Sequence, residues 1–100
     1  MKTHPTKLIT IICEALAREP VQALLKDSGA AGYTVFPVEG SGAHGPRTGD
    51  MAEFTNVQFE VIIRPDAADA LLDRLGAEFF PRFAMVAYES DIRVIRERKF

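Results

Sequence analysis

The sequence contains a single cysteine, Cys13. No disulfide can form within the chain, which suits a reducing cytosol. Cys13 lies inside an apolar run, the setting of a buried and inert thiol, because thiolate chemistry needs an accessible, electropositive surrounding. An excess of basic charge is also missing. Twelve Lys and Arg against fourteen Asp and Glu leave −2 at pH 7, which excludes a nucleic-acid binder built on a broad basic field. Positive charge gathers only at residues 93–99, where Arg93, Arg96, Arg98 and Lys99 face one acid, Glu97. No apolar run approaches the roughly 20 residues a membrane helix needs, so neither a secretory leader nor a membrane span is expected. There is no internal repeat, no low-complexity stretch and no Ser/His/Asp or Cys/His constellation. The run 7–13 has no aromatic residue, which places an RNA-recognition module last among the readings.

What is present is one modest core's worth of apolar residues, 47% of the chain, enough for a single domain of 100 residues. Residues 1–6 are polar and read as a flexible N-terminus, His4 included, ahead of one domain over 7–100. Lys7-Leu8-Ile9-Thr10-Ile11-Ile12-Cys13 predicts a central strand buried on both faces, reaching as far as Leu16. Glu19-Pro20 predicts a helix start, Val21, Leu24 and Leu25 its core-facing stripe, and Gly29 its stop. Tyr33 to Val38 reads as a strand whose Pro37 argues for an edge position or a strand end.

Val57, Phe59, Val61 and Ile63 alternate with polar or mixed residues, the period of a strand with one packed face. Pro65-Asp66 predicts a second helix with Asp66 as N-cap and an apolar stripe of Ala68, Leu71, Leu72, Leu75 and Phe79. Residues 84–88 read as a fourth strand and 92–95 as a short fifth. The order is α+β, a ferredoxin-like βαββαβ domain: a four-stranded antiparallel sheet, both helices on one face, and a short extra C-terminal strand. The other sheet face would need copies of the same chain to cover it.

Between the second and third strands runs a connection over 39–55, with Gly40, Gly42, Gly45 and Gly49 and one proline, Pro46. Loops of this length are uncommon in compact domains and tend to carry function. Gly40-Ser41-Gly42 can turn successive backbone N–H groups inward as an anion-binding nest. Arg47 is suited to bidentate oxyanion binding. His44, Asp50 and Glu53 lack metal-ligand spacing, so no metal is expected. A second reading makes the chain a small enzyme with His44 and Glu53 as its acid–base pair.

The runs Lys7-Leu8-Ile9-Thr10-Ile11, Asp27-Ser28-Gly29-Ala30-Ala31-Gly32-Tyr33-Thr34-Val35, Gly40-Ser41-Gly42, Asn56-Val57-Gln58-Phe59-Glu60-Val61 and Ala77-Glu78-Phe79-Phe80 through Tyr88 carry a resemblance. Together they resemble PII-like signalling proteins, and within that superfamily the branch linked to inorganic-carbon uptake and carboxysomes. The resemblance spans about residues 7–96, and Ser28 to Val35 is its most specific part. It implies a non-enzymatic, cytoplasmic homotrimer that binds adenine nucleotide in clefts between subunits. It further implies that the loop over 39–55, the T-loop, changes order with the ligand and touches a protein partner, such as a bicarbonate transporter or a carboxysome-related protein.

The same resemblance implies roles for individual residues. Gly32, Tyr33, Thr34 and Glu60 would approach the adenosine. Gly40, Ser41 and Gly42 would wrap phosphate, with Arg47 and Arg93 as anion clamps. Met85, Val86, Ala87 and Glu89 would complete the cleft, and bicarbonate would sit at Gly42 and Arg47. The Gly/Lys-rich segment by which many PII proteins hold the outer phosphates is replaced here by Phe80-Pro81-Arg82-Phe83. AMP, ADP or a cyclic nucleotide such as cAMP is therefore expected in preference to ATP. The loop has no tyrosine for uridylylation, and no redox role for a cysteine-bearing tail is expected.

Overall fold

A computed structural model describes residues 1–42, 45–46 and 56–96. Its strands are β1 (His4–Cys13), β2 (Thr34–Val38), β3 (Ser41–Gly42), β4 (Gly45–Pro46), β5 (Asn56–Ile63) and β6 (Met85–Val94). Its helices are α1 (Arg18–Asp27) and α2 (Pro65–Arg74). The main sheet has the order β2-β5-β1-β6, and every neighbouring pair is antiparallel. β3 and β4 pair separately as a short hairpin, Ser41 opposite Pro46 and Gly42 opposite Gly45.

The alternation read in the sequence sorts the sheet into two faces. Ile9, Ile11 and Cys13 of β1 and Val57, Phe59, Val61 and Ile63 of β5 are buried, together with Val21, Leu24 and Leu25 of α1 and Ala68 and Leu71 of α2. This is the ferredoxin-like arrangement expected, with both helices on one face. β1 is less enclosed on its other face: Leu8 and Ile12 are only half-buried, although Thr10 is 3% exposed.

Several boundaries differ from the sequence reading, each for a local reason. Residues 4–6 are not a free tail but the first part of β1, because β6 extends far enough to pair His4 with Val94 and Thr6 with Ile92. The Thr6 hydroxyl also donates to the Ile63 carbonyl at 2.8 Å. The same extension absorbs residues 92–94 into one continuous strand, so these residues form no separate strand of their own. β1 stops at Cys13, and Ala15–Ala17 turn as a 3-10 helix into α1. Pro20 is the third residue of α1 rather than the first, a position whose N–H still has no intrahelical acceptor.

α1 ends as expected. Gly29 takes φ 82° just beyond Ser28, whose hydroxyl donates to the Leu24 carbonyl at 2.6 Å. In α2 the cap is Arg64, not Asp66: Pro65 occupies the first turn and its ring holds the preceding residue extended, at ψ 149°. α2 then passes into a π turn over Leu75–Phe79, closed by the Phe80 N–H donating to the Leu75 carbonyl at 2.9 Å. Leu75 and Phe79 remain buried through it.

Candidate functional site

The sheet face opposite the helices is where the predicted site residues begin to meet. By register, Thr34 of β2 stands opposite Glu60 of β5, Glu60 opposite Thr10 of β1, and Thr10 opposite Tyr88 of β6. At the β2 end of that row, Gly32, Tyr33, Thr34, Glu60, Leu8 and Ile62 line a cavity of about 300 Å³. Leu8 and Ile62 face each other in the ladder and give it apolar walls. Glu60 gives it a carboxylate that accepts a long hydrogen bond, 3.4 Å, from Gln58 Nε2. The Tyr33 ring leans on buried Phe59, centroids 5.5 Å apart at 57°, which fixes one edge of the cavity against the core. Gly32 is not required by packing here: a Cβ built on it meets no heavy atom within 4 Å. An apolar slot edged by a carboxylate and by the hydroxyl-bearing Tyr33 and Thr34 suits a flat, hydrogen-bonding ligand such as a nucleobase.

The remaining predicted residues lie elsewhere. Met85, Val86, Ala87, Glu89 and Arg93 are all on β6, the opposite edge of the sheet. Three strand spacings, about 14 Å, separate β6 from β2. Met85 and Ala87 pack against the core, while Val86 is 42% exposed on the open face. Glu89 is engaged within the chain, accepting from Lys7 Nζ at 3.2 Å, and Asp91 takes the same ammonium at 2.5 Å. The hydrogen bonds to Asp91 and then Glu89 raise the Lys7 pKa above the usual lysine value. Arg93 is exposed opposite Pro5.

Gly40 leads into the β3–β4 hairpin, which contains Ser41 and Gly42. Arg47, and with it the bicarbonate pairing with Gly42, lies outside the described residues, as do His44, Asp50 and Glu53. Among the described residues no group of three or more His, Cys, Asp and Glu is placed to hold a metal.

Sequence reasoning missed three residues here. Leu8 and Ile62 are cavity walls, visible only once register pairs β1 with β5. Asn56, the first residue of β5 and opposite Val38, is 2% exposed, and its Oδ1 accepts no hydrogen bond among the described residues. A polar residue directly before the buried Val57, Phe59, Val61 and Ile63 was the available signal.

The sequence matches the family description of nitrogen regulatory protein P-II over residues 6–99. The chain belongs to the P-II family. P-II proteins are signalling regulators rather than enzymes, which removes the reading of His44 and Glu53 as an acid–base pair. Solved P-II-like structures agree in sequence and shape. A PII-like signalling protein of Thermus thermophilus is 36% identical over 100% of this chain and 99% of its own, with a TM-score of 0.84. CPII of Thiomonas intermedia, a nitrogen regulatory PII-like protein bound to ADP, AMP and bicarbonate, is 28% identical. That match covers 99% of this chain and 96% of CPII, with a TM-score of 0.89. The apo form of CPII is 25% identical over 93% of this chain and 95% of its own, with a TM-score of 0.76. The sequence resemblance to the carbon-uptake branch is consistent with the CPII likeness.

Proposed function

We propose that this P-II protein is a cytoplasmic sensor that binds AMP or ADP in clefts between three copies of itself, together with bicarbonate. Ligand binding changes the conformational preference of the loop over 39–55, and that loop controls a partner in inorganic-carbon metabolism, a bicarbonate transporter or a carboxysome-related protein. One observation carries the reading. The residues expected to touch the nucleotide are split between the two outer edges of the sheet, Gly32, Tyr33 and Thr34 at β2 and Met85 to Arg93 at β6. In this reading a ligand gripped by both sets lies where the β2 edge of one copy meets the β6 edge of another. The bound ADP, AMP and bicarbonate of CPII support the ligand class.

In this reading the base enters the slot beside Thr34 and Glu60, and the phosphates extend toward Gly40, Ser41 and Gly42. Arg47 and Arg93 supply guanidinium groups for the anionic end, with bicarbonate held at Gly42 and Arg47. The short segment 80–83 offers no second phosphate cradle, so AMP, ADP or cAMP is favoured over ATP. The ligand shifts the loop only as far as its affinities for the two loop states differ. Titration calorimetry with AMP, ADP, ATP and cAMP, each with and without bicarbonate, tests the proposal. Saturable binding of AMP or ADP that bicarbonate strengthens is expected. Absence of binding below millimolar concentration by every nucleotide overturns it.

A further inference from the structure

On the helix side of Gly32 and Tyr33 lies a second cavity, of about 410 Å³, which the adenylate reading leaves unused. Its walls are the last two turns of α1, through Gln22, Ala23, Leu25 and Lys26, and the segment Ala30 to Tyr33. Gln22 and Lys26 are one helical turn apart, so an amide and an ammonium stand above one another on the same groove. Ala23, Ala30 and Ala31 contribute methyl groups between them, over the fully buried Leu25.

The charge of Lys26 is not neutralised by any described residue. Its neighbour Asp27 is bound instead to Arg74, at 3.0 Å, and Lys26 has no ion pair among the described residues. The backbone N–H groups of Ala30, Ala31 and Gly32 likewise donate to no described residue. The groove therefore presents one cation with no ion pair among the described residues and one amide beside an apolar wall. Gly32 and Tyr33 line both cavities, whereas Thr34 and Glu60 line only the other. A single ammonium with an apolar floor matches a monoanion that has a compact hydrocarbon body.

We propose that this groove is a binding site for short-chain monocarboxylates, with the carboxylate on Lys26 and Gln22 and the alkyl body against Ala23, Ala30 and Ala31. The site goes beyond the adenylate cleft and does not depend on it. Butanoate is the probe, added to nitrogen-15-labelled protein while amide resonances are followed. Saturable shifts are expected at Gln22, Ala23, Lys26, Ala31, Gly32 and Tyr33. Lys26→Gln is expected to weaken the binding about tenfold or more, the loss of one charge-assisted contact, while Lys26→Arg retains it. Lys26 is exposed, so both variants are expected to fold, and an unchanged spectrum away from the groove checks this. Shifts that never saturate, that are equal in Lys26→Gln, or that fall at Thr34 and Glu60 instead overturn the proposal. Butanoate binding at the groove in a protein that takes up no AMP would sink the adenylate reading and leave this one standing.

Discussion

Thr34 and Glu60 stand directly opposite one another across the β2–β5 ladder, on the sheet face that neither helix covers. The pairing puts a hydroxyl and a carboxylate at one rim of a slot whose floor is Leu8 and Ile62. Glu60→Gln keeps the shape and removes the charge. ADP affinity is expected to fall about tenfold, the size of one hydrogen bond to a charged acceptor. A Thr34→Val and Glu60→Gln double-mutant cycle in calorimetry gives a coupling energy different from zero if one ligand touches both. Strict additivity would mean that it does not.

Gly32 offers a cleaner separation of folding from binding. Because an added Cβ meets nothing within 4 Å and the backbone is not at positive φ, Gly32→Val is expected to change stability by no more than about 0.5 kcal/mol. ADP affinity is expected to drop about tenfold or more, since the new side chain occupies ligand space. A thermal melt and a titration on the same sample read both quantities. Lost stability with intact affinity would contradict the assignment.

Cys13 is fully buried, and desolvation, with a smaller contribution from the Glu14 charge, pushes its thiol up to about 11 from 9.0. Iodoacetamide at neutral pH is therefore expected to label it only after denaturation. The native protein holds the proton that the unfolded chain gives up, so stability is full below pH about 9 and declines as pH climbs toward about 11. Denaturant midpoints measured across that window check the sign. Cys13→Ala is expected to flatten the decline.

Tyr88 and Val86 are 48% and 42% exposed on the open sheet face, an apolar area that a neighbouring copy would cover. Tyr88→Glu is expected to convert a trimer to monomers in light scattering and to abolish ADP binding together with it. A monomeric variant that still binds ADP with unchanged affinity would show the cleft to be complete within one chain.

Much of this molecule was legible in residue order. Strict alternation through Val57, Phe59, Val61 and Ile63 named both the strand and its buried face, since side chains in a strand have no other way to point. Gly29 and Pro37 marked a helix stop and an edge strand because each restricts its own backbone. Gly32, Tyr33, Thr34 and Glu60 were singled out together, and they do line one cavity.

Other features were not local properties and could not be read locally. His4 to Thr6 look like a tail until β6 supplies ten residues of partner; strand pairing joins distant segments, and polar residues take part once the backbone bonds are available. The π turn at Leu75–Phe79 and the cap at Arg64 depend on how α2 must enter and leave the core. Leu8 and Ile62 became cavity walls only through register, where a slip of one residue would have turned both to the other face. The sequence by itself determined which residues carry apolar surface, charge and backbone freedom. Only the tertiary structure decided which of them share a rim, because that depends on antiparallel pairing between stretches about fifty residues apart.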